Sequence, residues 1–217
     1  MDFAAARRIM VDSQIRPNDV TDPDIVSAFM HVAREAFVPA SRKEVAYSEM
    51  VIETSEGRAL WTPRDFSKLL KAAEPTKRDI SLIIGSGAGY EAAILAELVE
   101  TVIGLDDDEA VTNSATEVLA AQGADRAVIV HGDLAEGLPD QGPFDLILVN
   151  GMVQSVPEAW TDQLADNGRL AVVVEEKAGF GAARIYMRAG DVLAFRTVFE
   201  ASPPQFQAFN RKTAFTF

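Results

Sequence analysis

The stretch that most constrains the fold of this chain is residues 80–90, where branched apolar residues run directly into three closely spaced glycines. The apolar residues favour a β-strand, and Gly85, Gly87 and Gly89 favour a tight turn. The residues from Glu91 onward have the composition of a helix. The stretch therefore predicts a strand, a turn and a helix, whose bare backbone and free N–H groups let a ligand approach.

An acidic residue further along the chain narrows the kind of ligand. Asp106 follows Gly85 by about 20 residues and ends a second strand-like run, where a carboxylate can accept hydrogen bonds from the hydroxyls of a ribose. The glycines are spaced G-x-G-x-G rather than in the dinucleotide pattern G-x-G-x-x-G, and the tighter form suits adenosine with a non-phosphate tail, such as S-adenosylmethionine. Two alternatives stay open: a glycine turn without a ligand, and an acidic helix N-terminus at 106–109.

The composition argues against several classes of function. The 217 residues contain no cysteine, which excludes disulfides and thiolate catalysis, and only two histidines without the spacing of metal ligands, so we expect no metal. The formal net charge of −13 argues against nucleic acid or an anionic membrane as the main partner. No apolar run is long enough to cross a membrane, and the first residues lack the basic start of a secretory signal, so we expect a cytoplasmic protein.

The hydrophobic pattern predicts an α/β fold in one domain. Residues 1–30 have a helical pattern, in which Thr21 is the expected cap of a second helix. From residue 79 strands and helices alternate, which indicates a mostly parallel, doubly wound sheet. Later strands follow one another without helices and predict an antiparallel end. The predicted strands of the alternating part are 80–84, 101–105, 127–130, 144–149 and 169–174, and those of the antiparallel end are 182–188, 192–200 and 212–217.

Several segments in fixed order resemble the protein-L-isoaspartate O-methyltransferase family, over residues 7–190. The motifs that carry the resemblance are Arg8-x-Met-Val, Val20, the run Arg-Glu-Ala-Phe-Val-Pro at 34–39, Ala46-Tyr47, the glycine turn, Gly132-Asp133, 144–149, Val156-Pro157 and 168–170. The resemblance implies a Rossmann-like, class I S-adenosylmethionine-dependent methyltransferase, with a helical cap and substrate loop at 1–78 and a Rossmann-like core at 79–217. It also implies methyl-ester formation on isoaspartyl carboxylates in damaged proteins or peptides, with S-adenosylhomocysteine as the second product.

The resemblance also implies which residues form the site. Asp106 is the expected ribose ligand, and Asp133 the expected acceptor from the adenine amino group, with a simple turn residue as the alternative. Asn150 ends a parallel strand, where ligands of open α/β sheets bind, and is expected to face the methyl-transfer site. The implied cofactor-binding residues are Gly85, Ser86, Gly87, Gly89, Tyr90, Asp106, Gly132, Asp133 and Asn150, and the implied substrate-binding residues are Arg58, Ala59, Leu60, Trp61 and Thr62.

Three positions depart from the pattern of the family. Ile83 stands where an acid normally precedes the first glycine, and losing one charge-assisted bond there would weaken cofactor binding by about 1.5–3 kcal/mol. Ala59 and Trp61 replace the two hydroxyl-bearing residues of the substrate loop. Arg58 and Arg64 flank the altered run and are candidate receptors for a carboxylate, with solvent-facing arginines as the alternative.

The reaction implied by the resemblance needs no general base, because a side-chain carboxylate is already ionised near pH 7. We therefore expect catalysis largely by positioning, and the sequence leaves the catalytic residues unknown. Two alternatives remain beside this hypothesis: a binding or scaffold protein of the same fold that has lost catalysis, and a methyltransferase with a different acceptor. A nicotinamide oxidoreductase ranks last, because of the glycine spacing.

Overall fold

The computed structural model describes residues 1–206 and 209. Over these residues the helices are α1 Phe3–Met10, α2 Pro23–His31, α3 Pro63–Ala73, α4 Tyr90–Ala96, α5 Glu109–Ala121 and α6 Glu158–Asp162. The strands are β1 Ile52–Ser55, β2 Arg58–Leu60, β3 Ile80–Ile84, β4 Thr101–Asp106, β5 Ala127–His131, β6 Phe144–Val153, β7 Leu164–Lys177, β8 Phe180–Ala189 and β9 Val192–Ala201. None of the helices in this part of the chain has both the length and the apolar character that crossing a membrane requires.

Seven of these strands form one sheet in the order β5-β4-β3-β6-β7-β8-β9. The pairs from β5 to β7 are parallel, whereas β8 and β9 add on antiparallel. This arrangement confirms the predicted fold class, a doubly wound, mostly parallel sheet with an antiparallel end. The predicted strand at 212–217 lies outside the described residues.

The apolar strands of the sheet separate two cores. Consecutive side chains of a strand point to opposite faces, so Ile83 contributes to the core under the N-terminal helices while Leu82 and Ile84 contribute to the core on the other face. All three side chains are completely buried. The position where an acid was expected is therefore occupied by a core residue that packs towards the helical cap.

The helical pattern predicted for residues 1–30 is confirmed by α1 and α2, with one correction to its details. The predicted N-cap Thr21 is wrong, because Asp22 accepts hydrogen bonds from the backbone N–H groups of Asp24 and Ile25 at 2.9 and 3.0 Å. Pro23 occupies the first helical position, so the residue directly before it is the cap. The helix then ends at His31.

A buried ion pair connects the start of β3 to β7. Arg169 Nη2 lies 2.6 Å from Asp79 Oδ2, and both side chains are largely buried. The same guanidinium donates to the backbone carbonyls of Ala73 at 3.0 Å and Glu74 at 2.8 Å, at the end of α3. One side chain therefore fixes how the helix leading into β3 meets the sheet.

Candidate functional site

The glycine turn lies between β3 and α4, as predicted. Gly85, Gly87 and Gly89 have φ values of +73°, +54° and +89°, in the left-handed region that favours glycine. The N–H groups of Gly85 and Ser86 both donate to the carbonyl of Leu105, at 2.8 and 3.0 Å. The turn is thereby fastened to the end of the neighbouring strand β4.

Asp106 ends β4, and its buried carboxylate reaches into the turn. It accepts hydrogen bonds from the backbone N–H groups of Gly87 at 2.9 Å and Asp108 at 3.2 Å. Arg58 Nε and Nη2 each lie 3.0 Å from a different oxygen of the same carboxylate. Although burial opposes it, the hydrogen bonds and charges of Asp106 and Asp107 raise the pKa of Arg58 above its ordinary value. The expected ribose ligand is thus paired with an arginine of the expected substrate loop.

Asn150 lies beside the turn, but it does not end its strand as predicted, because β6 continues to Val153. Its Nδ2 donates to Glu91 Oε2 at 3.4 Å, and its Oδ1 has no hydrogen-bond partner among the described residues. Glu91 is completely buried in the first turn of α4. Burial raises the pKa of Glu91 to about 7, although the charge of Arg34 and hydrogen bonds from backbone N–H groups and Asn150 act in the opposite direction.

A buried arginine links this site to the helical cap. Arg34 is completely buried, donates from Nε to the carbonyl of Ala46 at 2.7 Å, and donates from Nη2 to the carbonyl of Trp61 at 2.5 Å. Its guanidinium also lies 4.8 Å from the ring centroid of Tyr90. The ring of Tyr90 therefore lies in the interior beneath the cap. Of this residue, the backbone stays predicted as the part that contacts the cofactor.

The expected substrate run is mostly interior. Ala59, Leu60 and Trp61 are 8%, 1% and 0% exposed, and Thr62 caps α3 by accepting a hydrogen bond from the Asp65 N–H at 3.2 Å. Of the five residues predicted to bind substrate, Arg58 is the one whose polar group reaches the carboxylate of Asp106.

Both flanking arginines already have carboxylate partners within the chain. Arg64 lies 2.9 Å from Asp65 and 3.6 Å from Glu49, and its side chain is 45% exposed. Arg58, which pairs with Asp106, is 12% exposed. To bind a substrate carboxylate, either arginine would have to release the carboxylate that it now contacts or contact both carboxylates at once.

Gly132 and Asp133 follow β5, next to Asp106. The Gly132 N–H donates to the carbonyl of Asp106 at 2.9 Å. Asp133 is exposed, and its Oδ1 accepts from the N–H groups of Ala135 at 2.7 Å and Glu136 at 3.3 Å, which is a turn contact. A bond from Asp133 to adenine stays a prediction.

Sequence reasoning missed three residues of this region: Arg34, Glu91 and Phe206. Arg34 opens the run at 34–39 and Glu91 directly follows the turn, so their positions were visible although their burial was not. No sequence signal identified Phe206, a buried residue beyond β9 whose ring covers Gly85: a Cβ placed on that glycine would lie 2.0 Å from Phe206 Cζ. Between this segment and the β1–β2 hairpin lies a cleft of about 810 Å³.

The residues present fit an adenosine-containing sulfonium cofactor in their chemistry. The turn provides backbone without side chains, Asp106 provides a carboxylate at the end of β4, and Asn150 provides a buried carbonyl oxygen without a partner among the described residues. The space over Gly85 is taken by Phe206. The donors and acceptors are therefore in place, and the ring covers one face of the turn.

A doubly wound sheet with a glycine turn after β3 and an acid at the end of β4 defines the Rossmann-like methyltransferase class. The solved structures with this fold include two that match more than nine-tenths of this chain. One is a protein-L-isoaspartate O-methyltransferase with a TM-score of 0.81 and 22% identity, over 92% of this chain and 65% of that one. The other is a Plasmodium falciparum protein solved as a beta-aspartate methyltransferase in complex with S-adenosyl-L-homocysteine. Its TM-score is 0.77 and its sequence identity 20%, over 94% of this chain and 98% of that one.

The family follows from the sequence comparisons. The model of the protein-L-isoaspartate(D-aspartate) O-methyltransferase family matches residues 6–199. A protein-L-isoaspartate O-methyltransferase of Roseiflexus castenholzii is 35% identical over 193 residues, which are 89% of this chain and 88% of the relative. This chain belongs to the protein-L-isoaspartate O-methyltransferase family, which confirms the predicted resemblance and its extent.

Proposed function

We propose that this protein uses S-adenosylmethionine to methylate isoaspartyl carboxylates in damaged proteins or peptides, in the cytoplasm. The membership of the family supports the reaction class. The observation that carries the proposal is the hydrogen bond from the Gly87 N–H to Asp106, at 2.9 Å, because it joins the two elements of an adenosine site. No nucleic acid is expected as partner of this acidic chain.

The residues of the turn and of the neighbouring strand ends would hold the cofactor. Asp106 would accept hydrogen bonds from the ribose and Asp133 from the adenine amino group. Asn150 would contact the end of the cofactor nearest the acceptor. The remaining proposed contacts are Gly85, Ser86, Gly87, Gly89, Gly132 and the backbone of Tyr90. When bound, the cofactor supplies an electrophilic methyl group on a positively charged sulfur.

The chain itself contributes positioning and exclusion of water. An isoaspartyl carboxylate is ionised near pH 7, so no residue has to remove a proton before it attacks. Asn150, held by Glu91 at 3.4 Å, would fix the orientation of the reacting groups. The buried surroundings strengthen such polar contacts, because few water molecules compete for them.

A different acceptor is the second candidate, and the substrate run favours it. Ala59 and Trp61 offer no hydroxyl group, and both side chains are buried. Because these side chains are buried, Arg58 is the residue of the run that could recognise a carboxylate. It is already paired with Asp106 at 3.0 Å. A methyltransferase whose acceptor contacts other parts of the cleft would tolerate these replacements. A binding protein without catalysis would tolerate them as well.

Two measurements separate these functions. Calorimetric titration with S-adenosylhomocysteine tests the cofactor site, and transfer of a labelled methyl group to an isoaspartyl peptide, against its aspartyl twin, tests the acceptor. We expect binding and label in the isoaspartyl peptide alone. If S-adenosylhomocysteine binds but both peptides carry only equal background label, the protein either methylates a different acceptor or is a binding protein without catalysis. Absence of binding would contradict the proposal as a whole.

The variant Asp106→Asn is the matched test of the cofactor contact. An amide has the size of the carboxylate but accepts weaker hydrogen bonds, so S-adenosylhomocysteine should bind about tenfold to a hundredfold more weakly. Asp140→Asn changes an exposed acid in the 3₁₀ turn before β6 and serves as the control, with unchanged affinity. Equal binding by wild type and Asp106→Asn would remove Asp106 from the proposed site.

A further inference from the structure

We propose that residues 203–206 form an autoinhibitory strap over the cofactor site, and that the strap must leave before the cofactor can bind. The inference rests on the proposed function, since it assigns the space over the glycine turn to a cofactor. It concerns residues of this chain that lie outside the matched range 6–199. The strap is defined by Pro203, Pro204, Gln205 and Phe206.

The strap pairs with the part of β6 that extends beyond the end of β3. Strand β3 ends at Ile84, which pairs with Val149, but β6 continues to Val153. Gln205 forms a parallel bridge with Met152 in the part of β6 beyond that last pair. The Met152 N–H donates to the carbonyl of Pro204 at 2.8 Å, and the Phe206 N–H donates to the carbonyl of Met152 at 2.9 Å. The strap thus takes the position that β3 vacates where the glycine turn begins.

The ring of Phe206 occupies the open face of that turn. A Cβ built on Gly85 would lie 2.0 Å from Cζ of the ring, and one built on Gly151 would lie 2.9 Å from Cδ2. The two glycines come from adjacent strand ends, and between them the ring is 5% exposed. Atoms cannot overlap, so a ligand that approached the Gly85 backbone from this face would have to displace the ring.

Arg58 connects the strap to the second part of the site. Its guanidinium carbon lies 5.5 Å from the ring centroid of Phe206, within the range of a cation–π contact. The same guanidinium binds both oxygens of Asp106. The ring covers the turn while the arginine engages the expected ribose ligand, so the chain itself occupies both contacts that the cofactor needs.

The strap is held to β6 by two backbone hydrogen bonds and to β7 by the side chain of Gln205, which donates to Glu175 at 3.3 Å. Pro203 and Pro204 have no N–H group, so this part of the strap can donate no backbone hydrogen bond to β6. A further anchor is Phe209, whose ring centroid lies 5.0 Å from that of Trp160 and 6.1 Å from that of Phe206. The strap would then exist in an equilibrium between a docked and a released state, and the cofactor would bind only to protein with a released strap. The apparent affinity for the cofactor would therefore be proportional to the released fraction.

The first test removes the ring. Phe206→Ala keeps the backbone and should bind S-adenosylhomocysteine about tenfold more tightly than wild type, which corresponds to a strap docked about nine-tenths of the time. Phe180→Ala is the control, because Phe180 is 69% exposed on β8 and should leave the affinity unchanged. Equal affinity of wild type and Phe206→Ala would overturn the strap, and weaker binding would make Phe206 a cofactor contact instead, which also overturns it.

The second test uses the wild-type chain and does not depend on any variant folding. Amide hydrogen exchange at Met152 and Phe206 reports the two bonds of the strap. With saturating S-adenosylhomocysteine these amides should exchange faster, whereas amides in the centre of β6 should not. Unchanged protection at saturation would overturn the inference while leaving the proposed function intact. If neither wild type nor Phe206→Ala binds, the proposed function fails and the strap fails with it.

Discussion

Arg58 and Asp106 are 48 positions apart in the chain and form a two-point ion pair, with both nitrogen–oxygen distances at 3.0 Å. Arg58 begins β2 of the small hairpin, and Asp106 ends β4 of the central sheet. The pair therefore fixes the hairpin against the carboxyl-terminal edge of the sheet. It also engages both oxygens of the carboxylate that we assign to the cofactor.

Replacing Arg58 should destabilise the protein. In Arg58→Ala the buried carboxylate of Asp106 keeps only its two backbone donors, so we expect a loss of about 2–4 kcal/mol in the free energy of unfolding. Urea denaturation followed by circular dichroism measures it. Arg16→Ala is the matched control, because both side chains of its ion pair with Asp12 are exposed and the pair should contribute about 0–1 kcal/mol. Equal losses in the two variants would contradict a special role of the Arg58 pair.

Glu91→Gln should change how stability depends on pH. Folding raises the pKa of Glu91 to about 7, so the native state holds this proton more tightly than the unfolded chain does. The resulting stabilisation is complete below the ordinary carboxyl pKa of 4.5 and is lost as the pH rises through about 7. Between pH 5 and pH 8 the free energy of unfolding of the wild type should fall by about 2–3 kcal/mol. That of the variant should not show this decrease.

Denaturant titrations at pH 5, 6, 7 and 8 measure this difference. The exposed Glu117→Gln on α5 is the control and should follow the wild type at every pH. Parallel curves for wild type and Glu91→Gln would show that the carboxyl of Glu91 does not titrate in this range.

Arg169→Ala should be among the most destabilising single substitutions. It removes the partner of the buried Asp79 and the donor to two carbonyls at the end of α3, for which we expect about 3–5 kcal/mol. Arg196→Ala removes an exposed arginine 3.8 Å from Glu74 and should cost about 0–1 kcal/mol. Thermal unfolding compares the two. A small effect of Arg169→Ala would mean that water replaces its bonds without loss.

Gly104→Ala should strain the contact between β4 and the glycine turn. The new Cβ would lie 2.5 Å from Ile129 Cδ1 and 2.8 Å from Ser86 Cβ, so we expect a loss of about 1–3 kcal/mol. Adding Ile129→Val removes the closest atom and should restore part of the stability. A double-mutant cycle from urea denaturation gives the coupling. Purely additive effects would contradict a direct clash between residues 104 and 129.

The sequence predicted what depends on local pattern. The alternation of strands and helices predicted the sheet, the glycine spacing predicted the turn, and the separation of about 20 residues made Asp106 the expected ribose ligand. The hairpin of β8 and β9 followed from two apolar runs around Ala189-Gly190-Asp191. Each of these features involves neighbours in the chain or a repeated βα unit, which a single sequence can reveal.

The features that escaped prediction join distant segments. The pairing of Arg58 with Asp106 and the ring of Phe206 over Gly85 both require the folded backbone to be known. The burial of Trp61 escaped for the same reason: its place in the sequence suggested a substrate loop, whereas its neighbours in space make it core. Local pattern indicates which residues are polar or apolar but not which distant groups they meet.

The buried charge of Arg34 has a consequence for how the molecule unfolds. Its guanidinium is held by carbonyls of Ala46 and Trp61 and packs on the ring of Tyr90, so it belongs to the cap and to the central sheet region at once. If the cap detached while the rest stayed folded, Arg34 would lose its contact with the ring of Tyr90, and the apolar surface between the cap and the core would be exposed to water, which costs free energy. We therefore expect the first 78 residues and the remainder to melt together, in one cooperative transition rather than in two.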